Sequence, residues 1–128
     1  MRFPENLKYT KEHEWAKVDG KQITVGITDH AQNALGDIVF VELPKIGREL
    51  KAGETFGVVE SIKAVSDLYS PVAGKVLAVN DAAVAEPSLL NREPHSAAWL
   101  VKLELTDPSS VNSLMDAGKY SAFVETLK

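Results

Sequence analysis

Cysteine is absent from this chain of 128 residues. That excludes disulfides, thiolate metal sites and cysteine nucleophiles together, so any thiol chemistry must come from a group attached to the protein. No Lys/Arg-rich run occurs and the formal net charge is −4. A nucleic-acid surface is therefore not expected, because phosphate binding needs clustered positive charge. No apolar run approaches the roughly 18 residues of a membrane span. The start, Met1-Arg2-Phe3-Pro4-Glu5-Asn6, has neither the apolar stretch of a signal peptide nor the Arg/Ser-rich character of a transit peptide. It reads as cytoplasmic, or as the mature form of a mitochondrial protein cut from a longer precursor. With 45% hydrophobic residues the chain can bury one core and is short for two.

What is present is a series of short apolar runs separated by Gly and Pro. A strand is predicted over residues 14–18. Asp19-Gly20 marks a hairpin turn, since both tolerate positive φ, and residues 21–27 form the return strand with Ile23, Val25 and Ile27 inward. Thr28 or Asp29 caps a short helix running to about Leu35, with Ala31, Ala34 and Leu35 on its apolar side and Gly36 ending it in the left-handed conformation. Residues 38–43 suit a strand buried on much of both faces, stopped by Pro44. Residues 51–54 form a turn into a strand over 55–59, and strands over 75–79 and 100–105 complete the set. This pattern predicts a β sandwich or flattened barrel.

The tail changes period. After Asp107-Pro108, the residues Val111, Leu114 and Met115 follow a helical spacing, Gly118 interrupts it, and Tyr120, Phe123, Val124 and Leu127 form an apolar stripe. Two short helices capping the β core are expected over about residues 107–128. His13, His30 and His95 show no metal-ligand spacing, and no Ser/His/Asp order or Gly-rich phosphate loop is present. His30 is expected to be a polar surface residue, and Trp15 and Trp99 to serve packing. A faint internal echo relates Gly26-Ile27, Gly36-Asp37-Ile38 and Pro44 to Gly57-Val58, Ser66-Asp67-Leu68 and Pro71.

The most informative stretch is Val58-Val59-Glu60-Ser61-Ile62-Lys63-Ala64-Val65-Ser66-Asp67, followed by Ser70-Pro71-Val72-Ala73-Gly74. Two short apolar runs flank a turn that exposes one lysine. An isolated lysine in a turn is ordinarily solvated charge. Its surroundings here resemble the lipoyl-attachment hairpin of the glycine cleavage system H protein family. That family places Glu three residues before the modified lysine, an acid four after, Gly eleven after and Gly sixteen before; Glu60, Asp67, Gly74 and Gly47 occupy those positions. The resemblance covers most of the chain: His13-Glu14-Trp15, Gly26-Ile27-Thr28-Asp29-His30-Ala31-Gln32, Leu35-Gly36-Asp37-Ile38-Val39-Phe40-Val41-Glu42-Leu43-Pro44, Pro87 with Leu89-Leu90-Asn91, and Pro94 with Trp99. It departs where the family reads Pro-Tyr-x-x-Gly-Trp, since His95 replaces Tyr and Ala98 replaces Gly. The related biotin carriers place methionine on both sides of the lysine; Ile62 and Ala64 stand there, which favours lipoate.

The resemblance implies a mainly β, lipoyl/biotinyl-type sandwich of two antiparallel sheets, with a short inserted helix and C-terminal helices, forming a single carrier domain over residues 1–128. It implies lipoic acid joined as an amide to Lys63, with Glu60 flanking the attachment point. The protein would be a carrier and no enzyme itself. It would shuttle an aminomethyl group from a pyridoxal-phosphate glycine decarboxylase to an aminomethyltransferase, and electrons to a dihydrolipoyl dehydrogenase. Lipoylating enzymes would be further partners, nucleic acid and membrane would not, and the carrier is expected to act as a monomer. Glu14 and Asp67, with Glu12 nearby, are candidates to contact the arm when it carries a protonated amine. Two alternatives stand beside this: a relay that donates lipoate to 2-oxo acid dehydrogenases, and an unmodified binding module that has kept the fold.

Overall fold

The alternating and punctuated pattern folds into nine strands and four short α-helices in a computed structural model that describes residues 3–127. Met1, Arg2 and Lys128 of the expected single unit lie outside the described residues. In chain order the elements are β1 (Lys8–Tyr9), β2 (Glu14–Asp19), β3 (Gln22–Ile27), α1 (Asp29–Leu35), β4 (Ile38–Glu42), β5 (Glu49–Leu50), β6 (Thr55–Ser61), β7 (Val65–Tyr69), β8 (Gly74–Val79), α2 (Asp81–Ala85), α3 (Leu89–Arg92), β9 (Val101–Leu105), a 3-10 turn (Pro108–Ser113) and α4 (Ala117–Glu125). One sheet has the order β1-β2-β3-β9-β8-β5 and the other β4-β6-β7, with antiparallel pairing throughout. The sheets stay separate, so the architecture is a sandwich and no closed barrel forms.

β9 shows why the sheets adhere. Val101, Leu103 and Leu105 point inward while Lys102 and Glu104 point out, the period-two signature of a half-buried strand. They join Ile23, Val25, Val59, Leu68, Val76 and Leu100 in the main core. Each such side chain contributes about 1.5–3 kcal/mol through burial. A second apolar cluster lies at one end and draws on both extremities of the chain: Leu7, Tyr9 and Trp15 meet Tyr120 and Val124. There the Tyr9 and Tyr120 rings stack at 4.7 Å, and Tyr9 exchanges two backbone hydrogen bonds with Met115.

Several expectations are corrected at the level of single residues. In the first hairpin only Gly20 takes positive φ (61°); Asp19 keeps an ordinary strand conformation opposite Gln22. Thr28 does cap α1, its hydroxyl accepting the Ala31 N–H at 3.2 Å. Gly36 has φ 80° but ψ −156°, so the helix ends in a glycine-only extended conformation and not in the left-handed helical one. Ala34 is exposed, leaving Ala31 and Leu35 as the residues that pack inward.

The strand over 38–42 is not buried on both faces. A bulge at Val39 shifts the register, so that Ile38 pairs with Ser61 and Phe40 with Glu60. The extra residue turns two consecutive apolar side chains outward, leaving Val39 56% and Phe40 44% exposed. In the tail, Leu114 and Met115 are extended and not helical. Gly118 lies inside the first turn of α4, which Asp116 caps by accepting the Lys119 N–H. Tyr120 and Val124 are buried and Phe123 half-buried as the stripe predicted, but Leu127 lies past the helix and is 51% exposed.

Candidate functional site

Lys63 stands at the tip of the β6–β7 hairpin, whose two central residues are Ile62 and Lys63. The turn is closed by Ser61. Its backbone N–H donates to the Ala64 carbonyl at 2.8 Å, and its Oγ accepts the backbone N–H groups of Lys63 (3.3 Å) and Ala64 (3.1 Å). A serine hydroxyl that substitutes for backbone partners is a local device suited to a tight turn. One bond also ties the turn to the rest of the fold: the Ile62 N–H donates to the Asp37 carbonyl at 3.1 Å. Lys63 and its neighbours Ile62, Ala64 and Val65 are all exposed, Ile62 by 73%. The lysine stem crosses Gly36, where an added methyl would stand 3.5 Å from Cε.

Glu60 and Asp67 lie on the outer face of the three-stranded sheet. Residues directly opposite one another in an antiparallel pair share a face. Phe40, Glu60 and Val65 form one such row, and Glu42, Val58 and Asp67 the next, with the ends of both rows exposed. Glu60 thus stands beside the lysine turn, and Asp67 lies on the same face as Glu60 at the middle of β7.

Glu14 is placed elsewhere. It is 2% exposed, at the start of β2. Its Oε1 accepts the Thr10 hydroxyl at 2.7 Å and its Oε2 accepts the Tyr69 N–H at 3.4 Å. Glu14 therefore meets the far end of β7 and not the lysine turn, two residues along the strand from Asp67. Burial pushes its carboxyl up to about 7; the two hydrogen bonds oppose this, and the exposed Glu12 adds to it by like-charge repulsion.

Beside it His13 occupies a positive φ of 70°, and its Nδ1 is 2.7 Å from the Tyr120 hydroxyl, which also lies 2.8 Å from Thr28 Oγ1. The His13 ring is held below the usual histidine range, first by burial and then by His30, whose ring centroid is 4.5 Å away. His30 is thus a ring partner as well as a half-buried polar residue. Trp15 is core, its Nε1–H donating to the Pro94 carbonyl at 2.7 Å, whereas Trp99 lies at the rim with the Lys102 ammonium 5.1 Å over its ring. His95 turns its Nε2 to accept the Asp29 N–H at 3.1 Å, and Ala98 is fully buried, so both departures from the family pattern are absorbed by internal contacts.

Ser61 and Asn91 stand in the quoted motifs without an assigned role, and both hold backbone at this site. Their type was the available signal, because short polar side chains next to turns commonly bond main-chain groups.

The glycine cleavage H-protein family model matches residues 7–127. The chain belongs to the glycine cleavage H-protein family. Members of this family are lipoyl carriers, and the chain aligns with them over nearly its whole length. A glycine cleavage system H protein of Acidobacterium capsulatum is 55% identical over 125 residues, spanning 98% of this chain and 96% of that protein. One from Koribacter versatilis is 57% identical over 123 residues, covering 96% and 94%. The crystal structure of a glycine cleavage system H protein from Mycobacterium marinum superposes with a TM-score of 0.89 at 40% identity, covering 96% of this chain and 99% of that one. Family membership implies partner enzymes of that system.

Proposed function

We propose that this chain is the lipoyl carrier of a glycine cleavage system and that Lys63 is the attachment residue. The observation that carries this is a lysine exposed at the tip of a turn whose backbone is fixed by Ser61 and by the Asp37 carbonyl. The root is held by hydrogen bonds while the lysine is exposed, as an enzyme that must reach it requires, and a pinned root limits the ordering cost when a partner docks. Attached through an amide, a lipoyl group supplies a disulfide that is reduced to a dithiol and a sulfur that carries a one-carbon unit.

The chain's own residues do the rest. Ser61 and Asp37 fix where the arm begins. Glu60, half-buried on the outer face three residues before the lysine, is a recognition residue for the lipoylating enzyme. Asp67 and Glu14 are the carboxylates available to a protonated amine returning toward the hairpin, Asp67 from the surface and Glu14 from within. Burial raises the Glu14 carboxyl well above the usual carboxylate range, and an approaching cation would favour its ionised form. The partners are glycine decarboxylase, aminomethyltransferase and dihydrolipoyl dehydrogenase, and the chain works as one carrier domain.

The test is Lys63→Arg, which keeps the charge but cannot form the lipoyl amide. It should fold normally, show no lipoyl adduct by tandem mass spectrometry, and fail to support glycine decarboxylation with purified partners. Wild-type rates from this variant without free lipoate would refute the assignment.

A further inference from the structure

Asn91 takes no part in the proposed attachment chemistry, yet it holds the segment against which the lysine turn leans. It lies on α3 directly after Leu90, whose side chain is fully buried, so packing fixes the backbone that carries the amide. Asn91 Oδ1 accepts the Ile38 N–H at 2.9 Å, and its Nδ2 donates to the Gly36 carbonyl at 2.9 Å and to Gln32 Oε1 at 3.0 Å. Both amide hydrogens and the amide oxygen are in use.

In extended backbone the carbonyl of one residue and the N–H two residues on point to the same side, and the carbonyl between them points to the other. Asn91 thus fills the place of a neighbouring strand beside residue 37, and leaves the Asp37 carbonyl turned away from it, where it receives the Ile62 N–H at 3.1 Å. The Lys63 stem crosses Gly36 in the same segment.

We propose that Asn91 is a positioning residue for lipoylation: by clamping residues 36–38 it sets the place and tilt at which the Ile62-Lys63 turn is offered to the modifying enzyme. The inference rests on Lys63 being the acceptor. In the reaction concerned, lipoate and ATP give lipoyl-adenylate and pyrophosphate. The Lys63 amine then displaces AMP, forming the amide and losing a proton. Asn91 touches none of these groups and acts only through the backbone.

The experiment uses the full chain as wild type, Asn91→Ala and Asn80→Ala. Asn80 is the matched control. It also makes three bonds, Nδ2 to the Ala97 and Trp99 carbonyls and Oδ1 from the Ala82 N–H, and none of these partners belongs to residues 36–38 or to the turn. Two quantities are read: amide hydrogen exchange at Ile62 by NMR, and kcat/KM for lipoylation by a purified lipoate–protein ligase with lipoate and ATP. Asn91→Ala should speed exchange at Ile62 and lower kcat/KM, each by about tenfold, the scale of one or two lost hydrogen bonds. Asn80→Ala should lower Tm comparably and move neither quantity.

Unchanged exchange at Ile62, unchanged kcat/KM, or an equal loss in Asn80→Ala overturns the proposal. Should Asn91→Ala fail to fold, Asn91→Ser keeps a hydroxyl at the same place and carries the same two measurements. A wild type that takes no lipoate overturns the carrier reading and this proposal together, and is told apart because it appears before any substitution.

Discussion

Replacing Glu14 with Gln should make the protein more stable at neutral and alkaline pH. The carboxyl is 2% exposed, and its two donors, one of them at a long 3.4 Å, do not make up for the water it has lost. Its folded value of about 7 lies above the ordinary 4.5. Between those values the folded state holds a proton that the unfolded state has released, so stability falls as pH rises through the window and stays lower above it. A shift from 4.5 to about 7 corresponds to about 3 kcal/mol in all.

Glu14→Gln carries no such titration. Its amide can present oxygen to the Tyr69 N–H and nitrogen to the Thr10 hydroxyl, so the contacts survive. The assay is urea unfolding of both chains from pH 5 to pH 8.5. His13 must be kept out of the comparison, because its lowered folded value makes stability rise with pH below 6.5, opposite to the Glu14 effect. Since His13 is common to both chains, the difference between their profiles isolates Glu14. That difference should grow by about 2–3 kcal/mol in favour of Glu14→Gln across the range. Parallel profiles, or a wild type that gains on the variant as pH rises, would refute the burial argument.

Glu60→Ala should slow lipoylation while leaving Tm nearly unchanged, since surface substitutions usually stay within about 0.5 kcal/mol; a large stability loss with normal modification would make Glu60 structural. Gly36→Ala should cost about 1–3 kcal/mol in urea unfolding, because φ 80° with ψ −156° is a glycine-only conformation. The added methyl meets Lys63 Cε only at ordinary contact distance, so a loss of this size would report backbone strain and not a clash. Asp67→Asn should raise ammonia release from the isolated aminomethyl-loaded carrier by up to about fivefold, the range of an exposed ion pair; release no faster than wild type would leave Asp67 an ordinary surface acid.

Much of this fold could be read from the chain because period and punctuation agreed. Alternating Leu and Val with Lys and Glu over 101–105, Thr28 before a helix and Gly20 in a tight turn each have one local solution. The misreadings arise where tertiary context decides. Nothing local announces a bulge at Val39, which depends on how residues 38–40 pair with Ser61 and Glu60. β1 and β5 have only two residues each, too few to show a period. The lysine hairpin was legible from its motif, whereas the face on which Asp67 lies follows from its pairing with Val58. The burial of Glu14 was not legible, since it depends on β7 arriving from 55 residues away. The clamp by Asn91 on Gly36 spans a similar separation and left only the residue type as a sign.

The cluster joining Leu7, Tyr9 and Trp15 to Tyr120 and Val124 has a consequence during synthesis. The chain emerges in order, and the first strand cannot bury Tyr9 until residues more than a hundred positions later have been made. Until then Leu7 and Tyr9 face water or whatever else is near, and Tyr9 lacks the Met115 groups that complete its backbone bonds. The β6–β7 hairpin instead closes on neighbours in sequence, and contacts of that kind form early. A nascent chain can therefore hold a formed lysine turn while its two extremities are still apart. Joining those extremities is the step most exposed to interruption, and a released chain truncated shortly before residue 120 would leave Leu7 and Tyr9 uncovered beside the sandwich.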